Sequence, residues 1–183
     1  SAVGISRLRF EQVQNTGVDF VYENGPDGQF HLAETLGGGV SALDFDHDGH
    51  VDLFFVDGGD PVRWPTNQQH RVELYRHLGE TNFRAITATA SLSWTGYAHG
   101  CAVADMDNDG FDDLLVTGFQ KSTLFMNQGD GTFQESFELQ GPTAGRWCAT
   151  TGVSDLDADG DVDLYIACYT DTPRELPTPV CEA

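Results

Sequence analysis

An all-β fold of short antiparallel strands is predicted by three features of this sequence. One phrase is written three times without gaps, as "GGVSALDFDHDGHVDLFFV", "GCAVADMDNDGFDDLLVTG" and "TTGVSDLDADGDVDLYIAC". In each copy an alternating or apolar run leads into an acidic loop, and a second apolar run leads out, which reads as strand, tight loop, strand. The runs are rich in glycine and β-branched residues and show no 3.6-residue period, so strands rather than helices are expected.

Taken in chain order, the first element is "RLRFEQVQNTGV" (7–18), whose Phe10 aligns with Phe83 and Phe133 at the ends of later units. It is expected to be the outer strand of a blade that closes from the far end of the chain. The first hairpin follows, with its acidic loop starting at Asp44; the other two loops start at Asp105 and Asp155. The second half of the unit repeats as well: "VELYRHLGETNFRAIT" (72–87) aligns with "STLFMNQGDGTFQESF" (122–137). There Gly-Asp-Gly at 129–131 supplies the positive φ angles of a hairpin turn. Four strands per unit, at this period, match the blades of a β-propeller. The predicted organisation is blade 1 over 37–92, blade 2 over 97–140, the first two strands of blade 3 over 147–170, and a proline-rich loop or tail over 171–183. The first unit is lengthened by "DGGDPVRWPTNQQH" (57–70). About two and a half blades cannot close a ring that needs 4–8, so a partial propeller is expected, completed by more sequence or by another chain.

Composition narrows the partners. Lys+Arg number 9 against 29 Asp+Glu, for a net charge of -20. Nucleic acid and anionic membrane surfaces need a basic footprint, and this chain has none. Disorder is equally disfavoured, because 39% of residues are hydrophobic and 11% aromatic. No apolar run approaches the length of a membrane span. Of the four cysteines, Cys101, Cys148, Cys168 and Cys181, none sits in a CxxC motif. Cys168 and Cys181 bracket a proline-rich segment and are the candidate disulfide pair.

Of 20 aspartates, 12 recur at four equivalent places in the three loops. The shared pattern is D-x-D-x-D-G-x-x-D. Oxygen ligands at positions 1, 3 and 5 converge when the backbone wraps a centre, and position 6 must then bend sharply, hence Gly49, Gly110 and Gly160. The carbonyls of position 7 (His50, Phe111, Asp161) and the carboxylates of position 9 complete an oxygen shell. Such hard, carboxylate-rich ligation suits Ca²⁺ better than Mg²⁺ or Zn²⁺. Three such ions, at +2 each, would take the formal charge from -20 to about -14. An EF-hand needs Glu at position 12 between helices; Phe55, Val116 and Ile166 stand there, inside apolar runs.

These residues carry a family resemblance. "DFDHDGHVDLFFV", "DMDNDGFDDLLV" and "DLDADGDVDLYIA", with "LFMNQGDGTF" between them, resemble the FG-GAP/VCBS repeats of β-propellers, which occur in integrin α-subunit heads and in bacterial secreted proteins. The segment "FEQVQNTGVDFVYENG…HLAETLGGGVSALDFD" is similar to the cartilage-acidic-protein-like (ASPIC/UnbV-associated) branch. The resemblance spans roughly residues 10 to 170. It implies Ca²⁺ at Asp44, Asp46, Asp48 and Asp52; at Asp105, Asp107, Asp109 and Asp113; and at Asp155, Asp157, Asp159 and Asp163. It also implies a secreted, cell-surface or periplasmic location. The chain departs from the pattern at "LGETNF", which replaces the Gly-Asp-Gly turn of the first unit.

Two classes of function are compatible with this. The first is a Ca²⁺-stabilised scaffold that binds protein or glycan, or mediates adhesion. Arg63 and Trp64, in a proline-flanked loop, and Trp94, Tyr97 and Trp147, before the calcium strands, are its candidate ligand contacts. The second is a propeller enzyme with an axial pocket near His31, Glu34 and His99, or an accessory subunit of a larger surface or periplasmic complex. No nucleophile elbow, HExxH or phosphate-cradling loop is present. The "GGG" at 37–39 is assigned a steric role, letting an inner strand crowd towards its neighbours. His47 and His50 fall at non-ligating positions and are expected to face solvent.

Overall fold

The computed structural model describes residues 10–25, 37–59, 72–136 and 143–171. Residues His31, Glu34, Arg63, Trp64, Cys181 and the tail lie outside them. Among the described residues, ten strands form three antiparallel sheets. β1 (Gly39–Leu43), β2 (Asp52–Val56), β3 (Val72–His77) and β4 (Phe83–Ala85) pair in chain order. β5 (Ala98–Ala104), β6 (Asp113–Gly118), β7 (Ser122–Asn127) and β8 (Phe133–Ser136) do the same, and β9 (Arg146–Ser154) pairs with β10 (Asp163–Asp171). The fold is all-β.

Each acidic phrase is a hairpin loop in the same register. The last residue of the first strand faces the last aspartate of the loop, as Leu43↔Asp52, Ala104↔Asp113 and Ser154↔Asp163. The alternation along the strands then decides which side chains are buried. From β2 and β3, Phe54, Val56 and Leu74 enter one core together with Leu114, Val116 and Phe125 from the second sheet. β6 is buried along its whole length, because its other face, through Leu115, meets Val153, Leu164 and Ile166 of the third sheet. A strand covered on both sides reads as an unbroken apolar run, as "LLV" does. Tyr165 and Tyr169, on β10, stay about two-thirds exposed.

The first strands of successive sheets approach closely where the side chain is missing. A Cβ on Gly39 would stand 3.2 Å from Cys101 N, and one on Gly100 would stand 2.9 Å from the Ala149 carbonyl oxygen. Glycine is needed at Gly100 so that β5 can lie against β9, and at Gly39 it eases the approach of β1 to β5.

Two expectations are corrected here. Within 7–18 the described part, residues 10–18, forms no strand, and Phe10 is 91% exposed. Residues 16–22 instead contact the first sheet along β4 and over Phe55 and Tyr75. Phe20 stacks on Phe55 at 4.9 Å, the Tyr75 hydroxyl donates to Asp19 at 2.7 Å, and Phe83 N–H donates to the Thr16 carbonyl at 2.7 Å. The disulfide is Cys148–Cys168, not Cys168–Cys181. The β9–β10 register sets Cys148 opposite Cys168, beside a bulge, so the pairing is cross-strand and leaves no trace in sequence spacing. Cys101 is a free thiol.

Candidate metal centres

The three loops share one backbone design. The position-1 carboxylate caps its own loop: Asp44 accepts from the N–H groups of Asp48 and Gly49, both at 3.0 Å. Asp105 does the same for Asp109 (3.1 Å) and Gly110 (2.9 Å), and Asp155 for Asp159 (3.2 Å) and Gly160 (3.1 Å). The position-5 carboxylates accept from the N–H of position 7: His50, Phe111 and Asp161. Position 6 is left-handed, as its glycine predicts, and so is position 4, where His47, Asn108 and Ala158 have φ of 56, 58 and 63°. Two left-handed residues, one of them without glycine's freedom, turn the chain around a centre.

Position 9 has a structural role of its own. Asp113 is fully buried and accepts from Met106 N at 2.9 Å and Asn127 N at 2.7 Å. Asp52 accepts from Phe45 N at 3.2 Å and His77 N at 2.7 Å. Each of these carboxylates therefore staples the loop to the end of the third strand. Burial pushes both up to about 6, against the opposing pull of those N–H donors.

In each loop three carboxylates offer oxygens within 4.8 Å of one another: Asp44, Asp46 and Asp48; Asp105, Asp107 and Asp113; Asp155, Asp157 and Asp163. Two unit charges at about 4 Å repel by roughly 1 kcal/mol in water and about 4 kcal/mol near a protein surface. The Asp46 Oδ1 atom is buried and finds no hydrogen-bond partner among the described residues. An acidic, all-oxygen donor set with an unpaired buried oxygen fits a hard divalent cation. The first loop also has a cation of its own. Arg76 Nη2 stands 2.6 Å from Asp46 Oδ2 and 3.1 Å from Asp48 Oδ2, whereas Met126 takes the equivalent place in the second sheet.

The structure places the remaining candidates differently. Trp94, Tyr97 and Trp147 are 3, 1 and 0% exposed and form no ligand platform; large aromatic surfaces are consumed by the packing between sheets. The Trp147 ring lies 5.3 Å from His99 and 5.8 Å from both Phe119 and Tyr169. His99 is 5% exposed, and burial lowers its pKa to about 4, so it sits in this aromatic layer as a neutral ring. His47 and His50 are exposed, yet each is engaged: His47 stacks on Phe111 at 4.4 Å, and His50 Nδ1 is 3.1 Å from Asp48 Oδ1. Arg76 and Asn127 were not singled out by sequence reasoning. Only the repeat alignment, which sets Asn127 against His77, touches them.

An FG-GAP-like repeat profile matches residues 44–116 and 105–166. The chain belongs to the FG-GAP-like repeat family. Each match begins at the first aspartate of a loop, so one FG-GAP-like repeat reaches from one candidate metal centre into the next hairpin. Cartilage acidic protein 1 of Xenopus tropicalis is 28% identical over 163 residues, covering 84% of this chain. The chain spans 22% of the length of that relative.

Proposed function

We propose that this chain is part of a Ca²⁺-stabilised β-propeller that works as an extracellular or periplasmic scaffold for protein or glycan binding. The observation that carries the reading is the threefold repetition of one loop design, with three clustered carboxylates in each copy. Calcium at Asp44–Asp52, Asp105–Asp113 and Asp155–Asp163 would neutralise the repulsion inside each loop and tie the two strands of its hairpin, so that folding depends on metal. The carbonyls of His50, Phe111 and Asp161 complete the shell in this reading. The sheets are blades, and the close approach of β1 to β5 and of β5 to β9 supports inner strands gathered near a ring axis. Further strands, from the same or another chain, would complete the ring beside β10. The Cys148–Cys168 disulfide favours an oxidising compartment.

Chelation tests the metal. With EGTA the thermal midpoint should fall by several degrees, calcium should restore it, and equimolar Mg²⁺ should do so poorly. Asp48→Asn, Asp109→Asn and Asp159→Asn should each remove one of three calorimetrically counted sites. An unchanged midpoint in chelator rejects the reading.

A further inference from the structure

We propose that the calcium sites of the first two loops load cooperatively, coupled through Asn127 and the His47–Phe111 stack. This rests on the calcium reading above.

Asn127 is 2% exposed and stands between the two loops. Its side-chain amide donates to the Phe45 carbonyl of loop one at 2.9 Å and to the Asp112 carbonyl of loop two at 3.2 Å. Its side-chain oxygen accepts from Gly129 N at 3.0 Å, and its own N–H donates to Asp113 Oδ1 at 2.7 Å. Phe45 lies between the first two candidate ligands of loop one. Asp112 lies between positions 7 and 9 of loop two. One buried amide therefore holds the ligand-bearing backbone of both loops. A second contact acts at the surface, where the His47 ring of loop one stacks on the Phe111 ring of loop two at 4.4 Å and 17°.

The pattern is directional: position 4 of one loop touches position 7 of the next. Loops two and three keep it, since Asn108 Nδ2 donates to Asp161 Oδ1 at 2.8 Å, but that bond is exposed. Exposed polar contacts are worth little, because water competes for both partners. In the first sheet His77 fills the place of Asn127, and its Nε2 meets Glu80 O of its own turn.

An ion in one loop must order backbone that the shared amide already joins to the other loop, so the ordering cost is paid largely once. The coupling is reciprocal by linkage, and a factor of about ten lies within the usual range. Asn127 is a positioning residue here, since it touches no ion.

The test is a Ca²⁺ titration of the metal-stripped chain, followed by NMR through the amide resonances of Gly49, Gly110 and Gly160, one reporter per loop. Asp107→Asn, which disables loop two, should weaken loop one about tenfold. Asp46→Asn should weaken loop two by the same factor as its partner variant weakens loop one. In an Asn127→Ala background loop one should lose most of its sensitivity to Asp107→Asn, and in a His47→Ala background a smaller part of it. His47 is exposed, so the second background survives even where Asn127→Ala fails to fold. Unchanged loop-one affinity in Asp107→Asn overturns the coupling and leaves the calcium reading standing. If none of the three glycines responds to calcium, both fall.

Discussion

Asp113→Asn separates the two roles of the position-9 carboxylate, because the structure sets two effects of similar size against each other. Asp113 is fully buried and accepts one N–H on each oxygen, from Met106 and from Asn127. Asparagine keeps only one acceptor oxygen, so one buried donor loses its partner, at about 1–3 kcal/mol. Against this, burial pushes the carboxyl from 3.8 to about 6. With no metal at neutral pH, holding it ionised costs at most about 3 kcal/mol, and screening at the loop mouth reduces that to about 2. The sign follows: a raised carboxyl pKa penalises the fold above about pH 6, and the penalty fades as the pH falls towards 3.8. In chelator at pH 7 the gain and loss therefore cancel to within about 1 kcal/mol, a midpoint shift of no more than about 4 °C. In calcium the ion stabilises the wild-type charge, the gain disappears, and the midpoint should drop by about 5–10 °C. Scanning calorimetry in EGTA and in millimolar calcium reads both. Equal drops in the two conditions would refute the argument, since Asp113 would then be indifferent to the ion.

Reducing the Cys148–Cys168 bond, which closes a separation of 20 residues, should cost about 3 kcal/mol, read as a lower urea midpoint in reductant at constant calcium. His99 contributes a pH dependence of the opposite sign to Asp113. Its pKa falls from 6.5 to about 4, so stability is full above 6.5 and is lost as the pH drops towards 4. Between pH 7 and 5 the loss is about 2 kcal/mol. His99→Phe should abolish that share in urea titrations in calcium, and an unchanged pH profile would contradict the neutral buried ring.

The sequence by itself determined the elements that depend on local chemistry. The period-2 runs, the loop pattern and the glycines at position 6 specify strand, tight turn and carboxylate cluster, since each rests on residues within a few places of one another. The three carboxylate clusters were legible for the same reason: aspartates a few residues apart converge when one tight loop wraps them. Features that join distant parts of the chain were decided only by tertiary structure. Trp147 was open to a surface platform as well as to the favoured packing between blades, and its place against His99 and Phe119 made it a packing residue. Cys148 found Cys168 through strand register, and Asp19 and Phe20 came to rest on Tyr75 and Phe55. Asn127 looks like one more polar strand residue in "LFMNQ". Its importance comes from Phe45, 82 residues away, because burial between two loops makes an unpaired carbonyl expensive and a bridging amide the remedy.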